Sequence, residues 1–206
     1  MAAPPLVVAL HGHGGDADWA FDGAHLERHI RATGLAVASV DGGNFYWHAR
    51  RPGLDTGRLV LQDFLPLLRR KGLDTDRIAL IGWSMGGYGA LLLASRLGPR
   101  RVAGVVAVSA ALWESAPASW ATGDRADSAF DGHSDFARNN VFRRRRALAG
   151  IPVRLDCGLD DAFITANRAL ARELPSAVAD FDSGGHSRAY WRAHAGAEMR
   201  WLRDRF

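Results

Sequence analysis

An α/β fold built on a mostly parallel sheet of about six strands, with helices on both faces, is predicted by three features of the chain. Short apolar runs alternate with longer helical runs throughout, the pattern that strand–helix–strand crossovers impose. The strand candidates are mostly continuous apolar runs, as expected for strands buried on both faces. The residues able to do chemistry, His11, Asp41, Ser84, Asp161 and His186, each stand just past a predicted strand end, where sites form in such sheets.

The elements follow in order. Leu6 to Leu10 is a short apolar strand running into the Gly-rich loop His11-Gly12-His13-Gly14-Gly15. Asp16 or Asp18 can cap a helix expected from about Trp19 to Ile30, and Gly34 stops it. Leu35 to Val40 is the next strand, followed by Asp41-Gly42-Gly43-Asn44 and an aromatic, basic loop. A helix over about 57–70 shows a largely apolar face of Leu59, Leu61, Phe64, Leu65 and Leu68. Ile78 to Ile81 and Val102 to Val108 are buried strands. Residues 111–148 lack periodicity and read as an excursion over the sheet. Val153 to Cys157 is a strand, Ala162 to Leu174 a helix and Val178 to Phe181 a last strand. The loop Ser183-Gly184-Gly185-His186 precedes a closing helix from about Tyr190 to Arg205.

With 206 residues, 48% of them hydrophobic and 23% charged, the chain reads as one domain with a sizeable core. A single cysteine, Cys157, excludes an internal disulfide. The first residues lack a basic n-region, and the apolar run after them ends at His11. Neither a signal peptide nor a membrane span is expected, so the protein is expected to be cytoplasmic. The net charge of +4 comes almost wholly from scattered arginines. The one run, Arg143 to Arg146, reads as a solvated face, and no nucleic-acid partner is expected.

The most informative stretch is Gly82-Trp83-Ser84-Met85-Gly86, which fits G-x-S-x-G between an apolar strand and an Ala/Leu-rich helix. Strand, sharp turn and helix form the context of a nucleophile elbow. A turn that tight leaves no room for side chains at its flanks, and Gly82 and Gly86 have none. It holds Ser84 strained and exposed, and the free N–H groups of the helix end point at the same spot.

A serine hydroxyl is a weak nucleophile that needs a base, and the base needs a carboxylate to fix its tautomer. Downstream stand Gly158-Leu159-Asp160-Asp161 and then Gly185-His186. The order Ser, Asp, His is the one α/β-hydrolases use. Asp161, where the chain leaves its strand, is favoured over Asp160, which can cap the next helix. His186, in a Gly-rich loop, is favoured over His194 and His133. The oxyanion of acyl transfer needs two backbone donors. Met85 N–H is one, and His13 N–H, from the loop after the first strand, is the expected other. Trp47, Trp83, Trp113 and Phe163 are the candidate substrate-binding side chains, and Trp120, Phe130 and Phe136 add to an expected apolar wall.

These pieces resemble the esterase D-like group of α/β-hydrolases, which includes S-formylglutathione hydrolases, feruloyl esterases and mycolyltransferases. The resemblance is carried by Leu10 to Gly15, by Asp41-Gly42-Gly43 with Tyr46 and Trp47, by Gly82 to Leu91, by Gly158 to Phe163 and by Gly185-His186. It implies a three-layer sheet with strand order 2-1-3-4-5-6, Ser84, Asp161 and His186 as triad, and Met85 and His13 as oxyanion donors. The family usually has two further strands before the His-Gly loop, so a compact version is expected, with a cap-like excursion at about 111–148. The expected activity is that of a serine carboxylesterase cleaving short-chain acyl esters through an acyl-enzyme, without cofactor or metal. A thioesterase, an acyltransferase and a non-catalytic binding protein on the same fold are the alternatives.

Two other readings fail on spacing. His11-x-His13 suggests a zinc motif, but Gly15 and Asp16 stand where Asp and His are needed. A calcium loop from Asp16 fails because Phe21 occupies its glycine position.

Overall fold

The computed structural model describes residues 3–51, 53–116 and 129–206. Six strands form one parallel sheet: β1 Leu6–Leu10, β2 Ala36–Ser39, β5 Ile78–Trp83, β6 Val102–Val108, β7 Val153–Gly158 and β8 Val178–Asp182. Between β2 and β5 lies a small antiparallel pair, β3 Ala49–Arg50 with β4 Leu54–Asp55. The order across the sheet is β2-β1-β5-β6-β7-β8. Counting only the main-sheet strands, that is the expected 2-1-3-4-5-6. The reversal between β1 and β5 makes the switch point at which the loops after both strands converge.

The four central strands, β1, β5, β6 and β7, are buried on both faces, and the edge strands β2 and β8 are partly exposed. Along β1, Leu6, Val8 and Leu10 join one core layer while Val7 and Ala9 join the other. On β5, Ile78 and Leu80 face the first layer; Ala79, Ile81 and Trp83 face the second. This two-residue period on two buried faces is why the strands read as unbroken apolar runs.

One layer is covered by α4, Met85–Leu97, and by Leu59–Phe64, Leu65–Arg70, His133–Asn139, Val141–Arg144 and Ile164–Glu173. The other is covered by Trp19–Gly23, Glu27–Thr33 and the closing helix α8, Arg188–Arg203. Phe130, Phe136, Val141, Phe142 and Leu148 belong to the first layer, so the described part of the excursion is sealed into the main core.

The expected helix from Trp19 to Ile30 is instead two pieces. A π turn at Trp19–Gly23 and an α-helix at Glu27–Thr33 flank His25, whose φ is 60°. The indole of Trp19 packs on Trp83 at 4.8 Å and Trp191 at 5.4 Å. Drawing that ring under the sheet pulls the first turn out of line. Asp18 makes no side-chain cap bond, and Asp16 Oδ1 instead accepts the Asp18 N–H at 3.0 Å. Gly34 ends the second piece at φ 65°, as expected.

Candidate active site

The elbow is built by close approach. A Cβ on Gly82 would fall on the carbonyl of Gly86, and one on Gly86 on the carbonyl of Leu10. Backbone occupies both places, so α4 can start this close to β1 and β5 only with glycine there. Ser84, at the turn, has φ 54° and ψ −115°, a conformation costing on the order of 1–3 kcal/mol. Three backbone bonds hold it: Ser84 N–H donates to Val108 O at 2.9 Å, and Tyr88 and Ala111 N–H donate to Ser84 O at 3.1 and 3.0 Å.

Three loops bring the expected polar residues together. His186 Nε2 is 3.0 Å from Ser84 Oγ, and His186 Nδ1 is 2.8 Å from Asp161 Oδ2. Since a carboxylate only accepts, Nδ1 carries the proton and Nε2 is left to accept from the serine. The Asp161 side chain is fully buried, whereas the imidazole keeps 29% of its surface. Burial raises the Asp161 carboxyl. Hydrogen bonds from His186 and from Phe163 N–H (2.9 Å), aided by the Ser109 hydroxyl, outweigh that and hold it below its ordinary value. Asp160 is exposed and is not part of this chain of bonds. His194 is engaged with Asp182 at 3.0 Å. His133 begins the helix His133–Asn139.

The loop after β1 is fastened beside Ser84. A Cβ on Gly12 would stand 3.4 Å from that of Ser84. Gly42 N–H donates to His11 Nε2 at 3.0 Å, so His11 Nδ1–H donates to Gly12 O at 2.8 Å. Gly14 N–H donates to Asn44 Oδ1 at 2.6 Å. His11 is buried with both ring nitrogens occupied. It braces this loop against the one after β2, and it has no lone pair left for a metal. Met85 is the first residue of α4 and His13 lies exposed in the braced loop.

The expected wall divides. Trp113 and Phe163 are half-buried, 6.0 Å apart, with Phe163 5.5 Å from the His186 ring. Tyr46 stands 5.9 Å from Trp113 and 6.5 Å from His13. Trp47 and Trp83 differ from expectation: each has 0% exposure. Trp47 fills the gap between Gly42 and Gly89, and Trp83 lies on the opposite face of the sheet with Trp19. Neither has surface to offer a substrate. Phe130 and Phe136 are likewise core residues, and Trp120 lies outside the described residues. An aromatic residue beside a catalytic motif is as useful for filling the layer beneath the turn as for lining the cleft above it, and sequence cannot separate the two uses.

Sequence reasoning missed Ser109 and Trp191. Trp191 stands edge-on to His186 at 5.0 Å and donates from Nε1 to Ser109 Oγ at 2.9 Å. Ser109 directly follows β6, and the strand-end rule that found the other residues also points to it.

The family model described as "Putative esterase" matches residues 55–202. The chain belongs to this esterase family. No protein of curated function matches the esterase by sequence. Its fold is shared with solved structures of low identity. One is the fluorophosphonate-binding serine hydrolase FphF of Staphylococcus aureus. The two are 18% identical with a TM-score of 0.83, over 98% of this chain and 85% of that one. A ferulic acid esterase is 21% identical, TM-score 0.80, over 99% and 86%. An S-formylglutathione hydrolase from Agrobacterium tumefaciens is 20% identical, TM-score 0.80, over 99% and 85%. The esterase thus has the α/β-hydrolase fold of the esterase D-like group, as its motifs imply, and is placed among the hydrolases. No described helix is long and apolar enough to cross a membrane.

Proposed function

We propose that this protein is a serine carboxylesterase that cleaves short-chain acyl esters through Ser84, His186 and Asp161. The observation that carries the reading is the unbroken line of hydrogen bonds from Ser84 Oγ through the imidazole to a buried, ionised Asp161. Each bond has the direction that general-base activation of a serine requires.

In the first half-reaction Ser84 Oγ attacks the ester carbonyl carbon and its proton passes to His186 Nε2. The negative charge on the carbonyl oxygen is received by the N–H groups of Met85 and His13. The bond to the alkoxy oxygen breaks, His186 gives the proton to the departing alcohol, and the acyl group remains on Ser84. A water then attacks the acyl carbon while His186 takes its proton. The acid departs and the proton returns to Ser84 Oγ. Asp161 stays ionised throughout and stabilises the imidazolium formed in each half.

Trp113 and Phe163 supply the apolar surface nearest His186, and an apolar wall gains about 0.8 kcal/mol per methylene buried. Each acyl carbon then raises kcat/KM about three- to fourfold until the wall ends, near four to six carbons by this estimate. The test is a series of p-nitrophenyl esters from acetate upward beside the matching thioesters, with fluorophosphonate labelling of wild type and Ser84→Ala. Labelling confined to wild type and a maximum at short esters are expected. A rate still climbing past about twelve carbons overturns the short-chain reading, and an unlabelled wild type overturns the serine mechanism.

A further inference from the structure

The turn after β6 lies under all three of the proposed catalytic residues. Backbone bonds tie it to the elbow on both sides of Ser109: Ser84 N–H donates to Val108 O at 2.9 Å, and Ala111 N–H to Ser84 O at 3.0 Å. Towards Asp161, Ser109 N–H donates to Asp156 O on β7 at 2.7 Å. Asn167, fully buried on the helix that follows Asp161, donates from Nδ2 to Ala110 O at 2.9 Å. Towards His186, Trp191 donates from Nε1 to Ser109 Oγ at 2.9 Å and sets its ring edge-on to the imidazole at 5.0 Å.

Ser109 itself is unusual. It is fully buried and has φ 48°, a region that non-glycine residues occupy at a cost. Glycine would relieve that cost, yet the chain keeps a hydroxyl. The hydroxyl has one proton and two lone pairs. Trp191 N–H uses a lone pair and leaves the proton free, and the Ser109 hydroxyl is among the groups that hold the Asp161 carboxyl below its ordinary value.

We infer that Ser109, with Trp191, is a positioning pair that sets the geometry of Ser84, Asp161 and His186 through the turn Val108–Ala111. The inference rests on the serine esterase reading above. Both residues act through others: Ser109 through the turn it belongs to, Trp191 through the imidazole ring, which Phe163 also meets at 5.5 Å.

The decisive variant is Ser109→Gly, because it removes the hydroxyl while suiting the backbone. Its thermal midpoint is expected to hold or rise while kcat on p-nitrophenyl acetate falls by up to about 100-fold, the scale of a small misplacement of catalytic groups. KM should change little. Without the lowering influence of the Ser109 hydroxyl, Asp161 pulls harder on the imidazolium, so the acid limb of the kcat/KM profile should move to higher pH. Trp191→Phe keeps a ring but removes the N–H. If the two residues act through one bond, the double variant is little worse than the poorer single one. A Ser109→Gly enzyme with wild-type kcat and an unmoved acid limb overturns the inference. Loss of activity in parallel with loss of thermal stability also overturns it, in favour of a merely structural role. Ser84→Ala separates this from failure of the parent reading: if that variant stays active, the serine mechanism falls and this pairing with it.

Discussion

One hydroxyl, one imidazole and two backbone N–H groups carry most of the proposed chemistry. Ser84→Ala should remove ester hydrolysis by a factor on the order of 10⁶ in kcat, with folding unaffected, because the residue is held by backbone bonds that alanine retains. His13 gives a finer test. If its N–H receives the oxyanion, His13→Pro, which lacks that hydrogen, should lower kcat by about 10²–10³-fold. His13→Ala should leave kcat within a few-fold, since the imidazole is not the donor. Steady-state kinetics on one short ester checks both. A dialysed, EDTA-treated sample should keep its activity, because both His11 nitrogens are already engaged.

Glu198 makes a further residue-scale prediction, away from the cleft. It is fully buried on α8, and neither carboxyl oxygen has a well-formed hydrogen-bond partner. Burial, then the charge of buried Asp156, pushes its carboxyl well above the ordinary value. A raised acid is stabilising only while protonated: its contribution is intact below the unfolded-state value and is lost as pH rises towards the folded-state value. Glu198→Gln should therefore raise the thermal midpoint, and by more at pH 9 than at pH 5, as read by melting curves across pH. Asp161 has the opposite sign. Held below its ordinary value, it adds stability at neutral pH that is lost only as the solution becomes strongly acidic.

At the scale of elements, the elbow depends on bare backbone. Gly86→Ala drives a methyl into the Leu10 carbonyl, and β1 lies between β2 and β5 with no freedom to withdraw. The expected cost is about 1–3 kcal/mol or more, a fall of roughly 2–12 °C in thermal midpoint for a chain of this size, together with loss of activity. Calorimetry and the same ester assay check this. The helix over residues 57–70 illustrates how much of an element sequence can carry. Of the apolar face read from spacing, Leu65 and Leu68 are buried and Leu59, Leu61 and Phe64 half-buried, while buried Val60 lies outside it. The structure starts it at Thr56, capped by Asp55, and widens it to a π turn at Leu59–Phe64. That widening leaves no periodic trace, since it alters the spacing by one residue only locally.

For the whole molecule, the strand order came from the resemblance to the esterase D-like group, and the convergence of the loops was legible because sites in such sheets form past the strand ends. Ser84, Asp161 and His186 stood out because each follows an apolar run and each has a residue type the chemistry needs. The small β3–β4 pair was not legible, since two-residue strands carry no pattern. It is held by contacts distant in sequence, chiefly Arg50 Nη2 and Arg51 N–H to Asp131 at 2.9 and 2.6 Å.

Read alone, the chain specifies the strands, the elbow and the candidate residues for ester chemistry, because periodicity, glycine placement and strand-end position are local properties. Only the tertiary structure decides which aromatic faces the cleft. Trp47 and Trp83 flank the motifs as closely as Trp113 does, yet the two faces of the sheet take them into separate core layers. The same holds for Ser109. Its role comes from an indole 82 residues away, and a partner at that distance is supplied by packing.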